Sequence, residues 1–239
     1  MTPHKVAIIT GASRGIGAGL VTGYRKRGWA VVASGRTIRP SRDPDLLALA
    51  ADTTDPIAAS GIVDAALERF GRLDTLVNNS GVVIAKPFTD YTATDFVTVV
   101  GTSLSGFFWL TQRAIGEMAL RYGGHVVTVS AAPPHAADPG APALLAALAA
   151  GGLAAATRSL AVEYAARGIR VNAVSTRAIK APPYPADGYH DLCSWVPPLG
   201  RTGQASDIVD GVLFLEFSPY ITGEILHIDG GQSALGEQV

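Results

Sequence analysis

The stretch from Lys5 to Gly17, KVAIITGASRGIG, has a residue pattern that could bind a phosphate group. Residues 6–9 form an apolar run that is too short for a helix and suits a strand buried on both faces. Gly11, Gly15 and Gly17 follow and open an amphipathic helix. Glycines let the backbone approach a pyrophosphate closely, and free N–H groups at a helix start attract negative charge. Because the turn joins a first strand to a first helix, it predicts a dinucleotide site rather than an ordinary glycine-rich loop.

Two arginines, Arg14 and Arg36, indicate whether the predicted site binds NADP(H) or NAD(H). Residues 30–34 form a second buried strand, Arg36 follows it closely, and no acidic residue appears before Asp43. In dinucleotide-binding folds an acid at this strand end binds the ribose 2′-hydroxyl, whereas an arginine accommodates a 2′-phosphate. Arg14, inside the glycine turn, can reach the same phosphate. The pair favours NADP(H) over NAD(H); the alternative is that both arginines are only solvated.

These residues require a parallel α/β sheet to position them. Short apolar runs predict strands at residues 6–9, 30–34, 46–51, 73–77, 125–129, 170–174 and 224–229. Helical periodicity predicts helices after the glycine turn and at about residues 56–70, 94–122, 142–167 and 206–217. Prolines leave no room for a crossover helix between residues 36 and 45. Asp55 is predicted to cap the second helix, and Trp109 is predicted to lie in the core.

The order of these motifs resembles the short-chain dehydrogenase/reductase family. The resemblance rests on Thr10 followed by Gly-x-x-x-Gly-x-Gly, on Asn-Asn-Ser-Gly at residues 78–81, and on the ending YITGEILHIDGG at residues 220–231. It covers about residues 5–232. It implies a single α/β domain, residues 1–239, with a Rossmann-type doubly wound fold. The mostly parallel seven-stranded sheet would have the order 3-2-1-4-5-6-7, with helices on both faces.

The resemblance also implies which residues bind the cofactor. Asp52 and Thr53, which follow the third predicted strand, would lie against the adenine. The Asn-Asn-x-Gly element at residues 78–81 would line the ribose. The predicted cofactor-binding residues are Gly11, Ser13, Arg14, Gly15, Ile16, Gly17, Arg36, Asp52, Thr53, Asn79, Ser80 and Gly81.

The catalytic residues of the family cannot be found in this chain. In the family a tyrosine protonates the developing alkoxide, a lysine four residues later lowers the pKa of that tyrosine, and a serine and an asparagine assist. Ala146 stands at the tyrosine position and Ala150 at the lysine position. Ala131 stands at the serine position and Ser103 at the asparagine position. No Tyr-x-x-x-Lys occurs anywhere in the sequence.

Other polar residues could replace the missing groups. His135 and Asp138 lie in a loop that should overhang the nicotinamide, although such loop residues are more often solvated or helix-capping. Arg177 begins an insertion at about residues 177–200, where the family usually carries a substrate lid, and it could bind a carboxylate or phosphate. The aromatic residues predicted to line the substrate pocket are Tyr184, Tyr189 and Trp195.

Three functions are compatible with this pattern. The first is a reductase that transfers hydride from NADP(H) to an activated substrate, such as an iminium-like cation, or to a carbonyl with a relocated acid. The second is a non-redox cyclase, isomerase or lyase that uses the family's scaffold. The third is a catalytically inactive nucleotide-binding or partner-binding subunit. Retention of the glycine turn favours nucleotide binding in all three.

Composition limits the partners further. The 239-residue chain has a net charge of −1, which gives no electrostatic case for binding nucleic acid or an anionic membrane. Its one cysteine, Cys193, and the absence of a signal-like N-terminus predict a cytoplasmic protein. Residues 141–157 are apolar but short for a membrane span. No metal site is predicted. We expect a small-molecule substrate and, from the resemblance, a homodimer or homotetramer formed through the two long helices.

Overall fold

A seven-stranded parallel sheet forms the centre of the computed structural model, which describes residues 4–121, 123–131, 142–180 and 197–235. All of its strand pairs are parallel. The strands are β1 Val6–Ile9, β2 Ala30–Ser34, β3 Leu46–Leu49, β4 Thr75–Asn78, β5 Gly124–Ala131, β6 Ile169–Thr176 and β9 Ile225–Ile228. Their order is β3-β2-β1-β4-β5-β6-β9, which confirms the predicted order because β9 is the seventh strand of this sheet. A second, two-stranded parallel sheet pairs β7 Ile179–Lys180 with β8 Gly203–Gln204.

Helices cover both faces of the large sheet. They are α1 Gly15–Arg25, α2 Pro56–Phe70, α3 Ala93–Val100, α4 Gly106–Leu120, α5 Leu144–Tyr164 and α6 Ala205–Glu216. Alternation along β1 shows how the faces divide: Val6 and Ile8 join a core with α2 and α4, whereas Ala7 and Ile9 join a core with α1 and α6. Side chains on both faces of β1 and β2 are buried, as expected for central parallel strands.

Local signals set several boundaries. The Asp55 side chain accepts a hydrogen bond from the Ile57 N–H and caps α2, as predicted. The helix ends at Gly71, whose φ of 76° is the left-handed conformation that glycine adopts readily. Residues 36–45 contain no helix, which also agrees with the sequence.

The structure corrects two sequence expectations. The helical region predicted at 94–122 is α3 and α4 joined by a π-helical turn at Gly101–Ser105. Trp109 was predicted to lie in the core, but it is 37% exposed and packs edge-to-face on the exposed Phe108. Its position on α4 turns it outward, away from the sheet that buries Leu110.

One helical segment has the length and apolar composition of a membrane span. It covers Leu144–Arg167, and one third of its apolar window (33%) is buried. Leu145, Ala149 and Leu153 are buried side chains of this segment, and it packs against β5 and β6. A core helix of a globular domain satisfies the same length and composition test, so this observation alone gives little support for a membrane span.

Candidate functional site

A cavity of about 500 Å³ opens beside the carboxyl ends of β1 and β2. This is the edge of an open parallel sheet at which ligands bind in doubly wound folds. Every predicted cofactor-binding residue except Gly17 lines the cavity. The lining residues that the sequence had identified are Gly11, Ser13, Arg14, Gly15, Ile16, Arg36, Asp52, Thr53, Asn79, Ser80 and Gly81.

The glycine turn brings backbone, rather than side chains, to the cavity wall. Gly11 and Gly15 have φ values of +61° and +58°, which L-residues with side chains rarely adopt. Gly17 lies behind the wall, where a Cβ atom would stand 2.2 Å from the carbonyl oxygen of Gly11. No side chain caps the first turn of α1, and Arg14 occupies the N-cap position with an extended backbone. The uncapped N–H groups and the close backbone approach fit a pyrophosphate.

Thr10 and Asn79 hold the turn in place. The Thr10 hydroxyl accepts hydrogen bonds from the backbone N–H groups of Asn79 and Ser80, at 2.9 and 3.0 Å. The Asn79 side-chain amide donates in return to the Thr10 carbonyl at 3.1 Å. A Cβ atom on Gly11 would stand 2.9 Å from that amide nitrogen. The Asn-Asn-Ser-Gly element therefore supports the glycine turn as well as lining the cavity.

The cavity is positively charged at one end. Arg14 and Arg36 both line it and both are exposed. Asp52 is the one carboxylate among its described lining residues. Hydrogen bonds from Thr54, and to a smaller extent the charge of Arg36, hold the pKa of Asp52 below its ordinary value. Asp52 is thus ionised and close enough to Arg36 to feel its charge, while Arg14 remains without an acidic partner in the described lining.

A second cavity, of about 190 Å³, lies next to the first and shares part of its wall with it. The shared residues are Ile16, Asn79, Ser80, Gly81 and Val82. The four residues that the family resemblance predicts at the catalytic positions all line this smaller cavity, namely Ser103, Ala131, Ala146 and Ala150. None of its described lining residues carries an ionisable side chain. The smaller cavity is thus lined by apolar side chains, hydroxyls and one amide.

The remaining candidates are only partly located. His135, Asp138, Tyr184, Tyr189 and Trp195 lie outside the described residues, as does most of the predicted insertion at about 177–200. Arg177 follows β6 and is half-buried, and it is not among the described residues that line either cavity. Within the described ranges, no group of three or more His, Cys, Asp or Glu side chains could hold a metal ion.

Sequence reasoning missed several residues of the walls. Ser34, Thr37, Thr98 and Thr102 line the larger cavity, and Thr176 lines the smaller one. Ser34 could have been found, since it ends β2 just before Arg36, and its buried hydroxyl has no described hydrogen-bond partner. Thr98 and Thr102 carry no such signal, because only the packing of α3 and the π-helical turn brings them to the wall.

The fold and the cleft together define a doubly wound α/β protein with a dinucleotide-type site. The sequence pattern described as enoyl-(acyl carrier protein) reductase matches residues 11–233. The chain is also 32% identical over 254 residues to 1,6-dihydroxycyclohexa-2,4-diene-1-carboxylate dehydrogenase of Acinetobacter baylyi, covering 95% of this chain and 96% of that one. The chain therefore belongs to the short-chain dehydrogenase/reductase family.

Solved structures agree with this assignment. ElxO with NADP bound superposes with a TM-score of 0.87 at 26% identity, over 97% of this chain and 99% of the other. The 3-ketoacyl-(acyl-carrier-protein) reductase from Brucella melitensis complexed with NADH has a TM-score of 0.84 at 27% identity, over 96% and 98% of the two chains. One of these structures holds NADP and the other NADH, and together they support a nicotinamide dinucleotide as the cofactor of this chain.

Proposed function

We propose that this protein is an oxidoreductase that binds NADP(H) and exchanges hydride with an activated small organic substrate without a tyrosine–lysine pair. The observation that carries the proposal is the contrast between two adjoining cavities. The larger one keeps the uncapped helix start and two arginines, whereas the described lining of the smaller one has no titratable group. This contrast supports a protein that binds the nucleotide but does not use a side-chain proton donor in the smaller cavity.

The residues of the larger cavity have distinct roles in this proposal. The first turn of α1 would hold the pyrophosphate through backbone N–H groups, because no side chain competes for them. Arg14 and Arg36 would hold the 2′-phosphate by charge-assisted hydrogen bonds. Asp52 and Thr53 would flank the adenine, and Asn79 and Ser80 would line the ribose near the smaller cavity. NADP(H), when bound, supplies or accepts the hydride.

The smaller cavity limits the choice of substrate. Hydride addition to a neutral carbonyl makes an alkoxide, which needs a proton or a positive charge nearby. Addition to an iminium-like cation removes charge and needs neither. Since the described lining is neutral, the protein's contribution is to orient the substrate and exclude water. A carbonyl substrate remains compatible with the proposal if His135, Asp138 or Arg177 supplies the acid.

A direct test measures binding and turnover separately. Calorimetric titration should show NADPH binding, with weaker binding of NADH. NADPH oxidation should then be followed over a panel that pairs each imine or iminium substrate with the matching ketone. We expect turnover with the cationic members and little with simple ketones. Absence of NADPH binding at high micromolar concentration contradicts the proposal at its first step.

The neutral lining of the smaller cavity also favours a second candidate. A non-redox cyclase, isomerase or lyase, or an inactive nucleotide-binding subunit, would have no use for a proton donor at the family's position. Tight NADPH binding without oxidation across the whole panel would favour this candidate over hydride transfer.

We further propose a cytoplasmic homodimer or homotetramer with no nucleic-acid or membrane partner. Large apolar side chains on α3, α4 and α5 are exposed in the single chain, and a second copy would cover them. They are Phe96, Val97, Phe108, Trp109 and Leu148. Light scattering of the purified protein should give a mass of two or four chains, and Trp109→Glu should lower it.

A further inference from the structure

Thr128 of β5 carries a buried hydroxyl that the described residues leave without a hydrogen bond. The residue is 2% exposed, and no described residue partners its Oγ1 atom. Asn78 lies beside it in the β4–β5 register, but the Asn78 amide donates to the Thr111 hydroxyl at 2.9 Å. A buried hydroxyl without a partner is destabilising, so native proteins rarely leave one. We therefore expect the Thr128 hydroxyl to have a hydrogen-bonding partner that is not part of the described chain.

A small cavity lined by Thr128 lies between the sheet and the π-helical turn. It has a volume of about 10 Å³, which is close to the space that one water molecule occupies on this measure. Its wall includes Thr128 together with Ser80, Thr102 and Ser103. A buried water needs two to four polar partners, and these hydroxyls can supply them. Phe107 and Leu153 form part of the apolar remainder of the wall.

We propose that this cavity binds one structural water molecule, which links the Thr128 hydroxyl to the hydroxyls of Ser103 and Ser80. The water would fasten β5 to the π-helical turn at the point where the helix departs from regular α geometry. Water inserted beside a helix is a recognised cause of such departures.

The water site would lie at the floor of the smaller cavity. Ser80 and Ser103 line both spaces, so they separate the proposed water from whatever occupies the substrate side. A water at this place would fix the orientation of the Ser103 hydroxyl. The inference does not depend on hydride transfer, because the same cavity and hydroxyl would exist in a protein that transfers none.

High-resolution crystal structures of the wild-type protein and of Thr128→Val test the site. We expect a density peak within about 3.2 Å of Thr128 Oγ1 in the wild type, and its loss in the isosteric valine variant. Thr75→Val is the matched control, since Thr75 is a buried strand threonine whose hydroxyl donates to Glu216 at 2.9 Å. This control should keep the peak. Thr128→Ser, which retains the hydroxyl, should keep it as well.

Thermal unfolding of Thr128→Val gives an independent test, because the change in Tm has opposite signs depending on whether the wild-type hydroxyl binds a water or is buried without a partner. If water satisfies Thr128, Thr128→Val removes a hydrogen bond and lowers the Tm, as Thr75→Val also should. If the hydroxyl is buried without any partner, valine relieves the penalty and raises the Tm. A wild-type structure with no peak at Thr128, or a valine variant with a higher Tm, overturns the proposal.

Discussion

His125 and Glu216 form a buried pair in which the imidazole Nδ1 lies 3.0 Å from the carboxylate Oε2. Their side chains are only 2% and 5% exposed. The same carboxylate oxygen accepts hydrogen bonds from the Tyr24 and Thr75 hydroxyls, both at 2.9 Å. Glu216 ends α6, while His125 and Thr75 lie near the amino ends of β5 and β4. The pair therefore fastens the last helix to the edge of the sheet opposite the cofactor cleft.

The surrounding donors determine the protonation state of His125. The Asn172 side-chain oxygen accepts from the Glu224 N–H, so its amide nitrogen must be the atom that faces His125 Nε2, at 3.0 Å. Nε2 thus accepts a hydrogen bond, and Nδ1–H donates to Glu216. Arg170, 3.4 Å from Nε2, adds a second donor on that side. A proton on Nε2 would point at the N–H groups of Asn172 and Arg170, which cannot accept it in a hydrogen bond. The imidazole of His125 is therefore neutral.

Stability should fall as the pH drops below about 6.5. Burial holds the pKa of His125 below its ordinary value of 6.5, and its hydrogen bond to Glu216 only partly offsets this. Between the two pKa values His125 is protonated in the unfolded chain but neutral in the folded chain. The free energy of unfolding therefore falls as the pH is lowered. The slope should approach 1.4 kcal/mol per pH unit, the limit for one proton, at about 25 °C. Urea unfolding between pH 5 and 7.5 measures it, and His125→Gln should flatten the curve in that window.

Removal of Glu216 should be among the most destabilising single changes. Burial alone would raise the pKa of Glu216, but hydrogen bonds from His125, Tyr24 and Thr75 outweigh it and lower that pKa. Glu216→Ala leaves those donors unpaired and Arg170 without its buried counter-charge, which typically costs about 3–5 kcal/mol. Glu216→Gln keeps one acceptor and should lose less. Glu224→Ala, a change at an exposed residue, is the control; a similar Tm for both alanine variants would contradict this account.

Arg36→Ala should weaken the binding of NADPH much more than the binding of NADH. If Arg36 holds the 2′-phosphate, its loss removes charge-assisted hydrogen bonds worth about 1.5–3 kcal/mol, or roughly a tenfold to hundredfold loss of NADPH affinity. NADH affinity should change little. Arg39→Ala is the matched control, because Arg39 is exposed nearby but does not line the cavity. Equal losses of NADPH and NADH would contradict the phosphate assignment.

Gly17→Ala tests the close approach beneath the glycine turn. The new Cβ would stand 2.2 Å from the Gly11 carbonyl oxygen, so the turn must shift. We expect a loss of about 1–3 kcal/mol of unfolding free energy and at least tenfold weaker NADPH binding. Gly61→Ala, in the exposed part of α2, has nothing within 4 Å of its new Cβ and should stabilise the protein by about 0.5–1 kcal/mol. Unchanged NADPH affinity in Gly17→Ala would show that the turn does not hold the nucleotide.

The sequence predicted the sheet better than the site. β1 begins and ends where its apolar run does, because strands buried on both faces require uninterrupted apolar residues. β2 was also predicted with its observed bounds, although it ends on the polar Ser34. The π-helical turn, GTSLS, contains no proline, and its one glycine is no more than many regular helices carry, so the sequence did not reveal it. Gly101 and Gly106, at the two ends of this turn, lie close to Thr54 and Thr53. The β7–β8 pair joins segments of two residues each, too short to leave a periodic pattern. The second cavity could be located only by aligning the alanines with the family's catalytic positions.

Introducing a serine, a tyrosine and a lysine at the predicted catalytic positions tests whether the smaller cavity is a reductase site that lacks only its proton donor. Ala146 and Ala150 lie four apart on one face of α5 and both line the cavity, as does Ala131 at the end of β5. The triple variant Ala131→Ser, Ala146→Tyr, Ala150→Lys should oxidise NADPH with simple ketones at least tenfold faster than the parent protein.

The control for this variant places the same pair on the outer face of α5. Ala155→Tyr with Ser159→Lys keeps the spacing of four residues, and both positions are exposed and absent from the cavity wall. It should leave ketone reduction at the parent level. A triple variant that still binds NADPH yet reduces no ketone would show that the cavity differs from a reductase site in more than its proton donor. The non-redox candidate would then explain the neutral lining better than hydride transfer does.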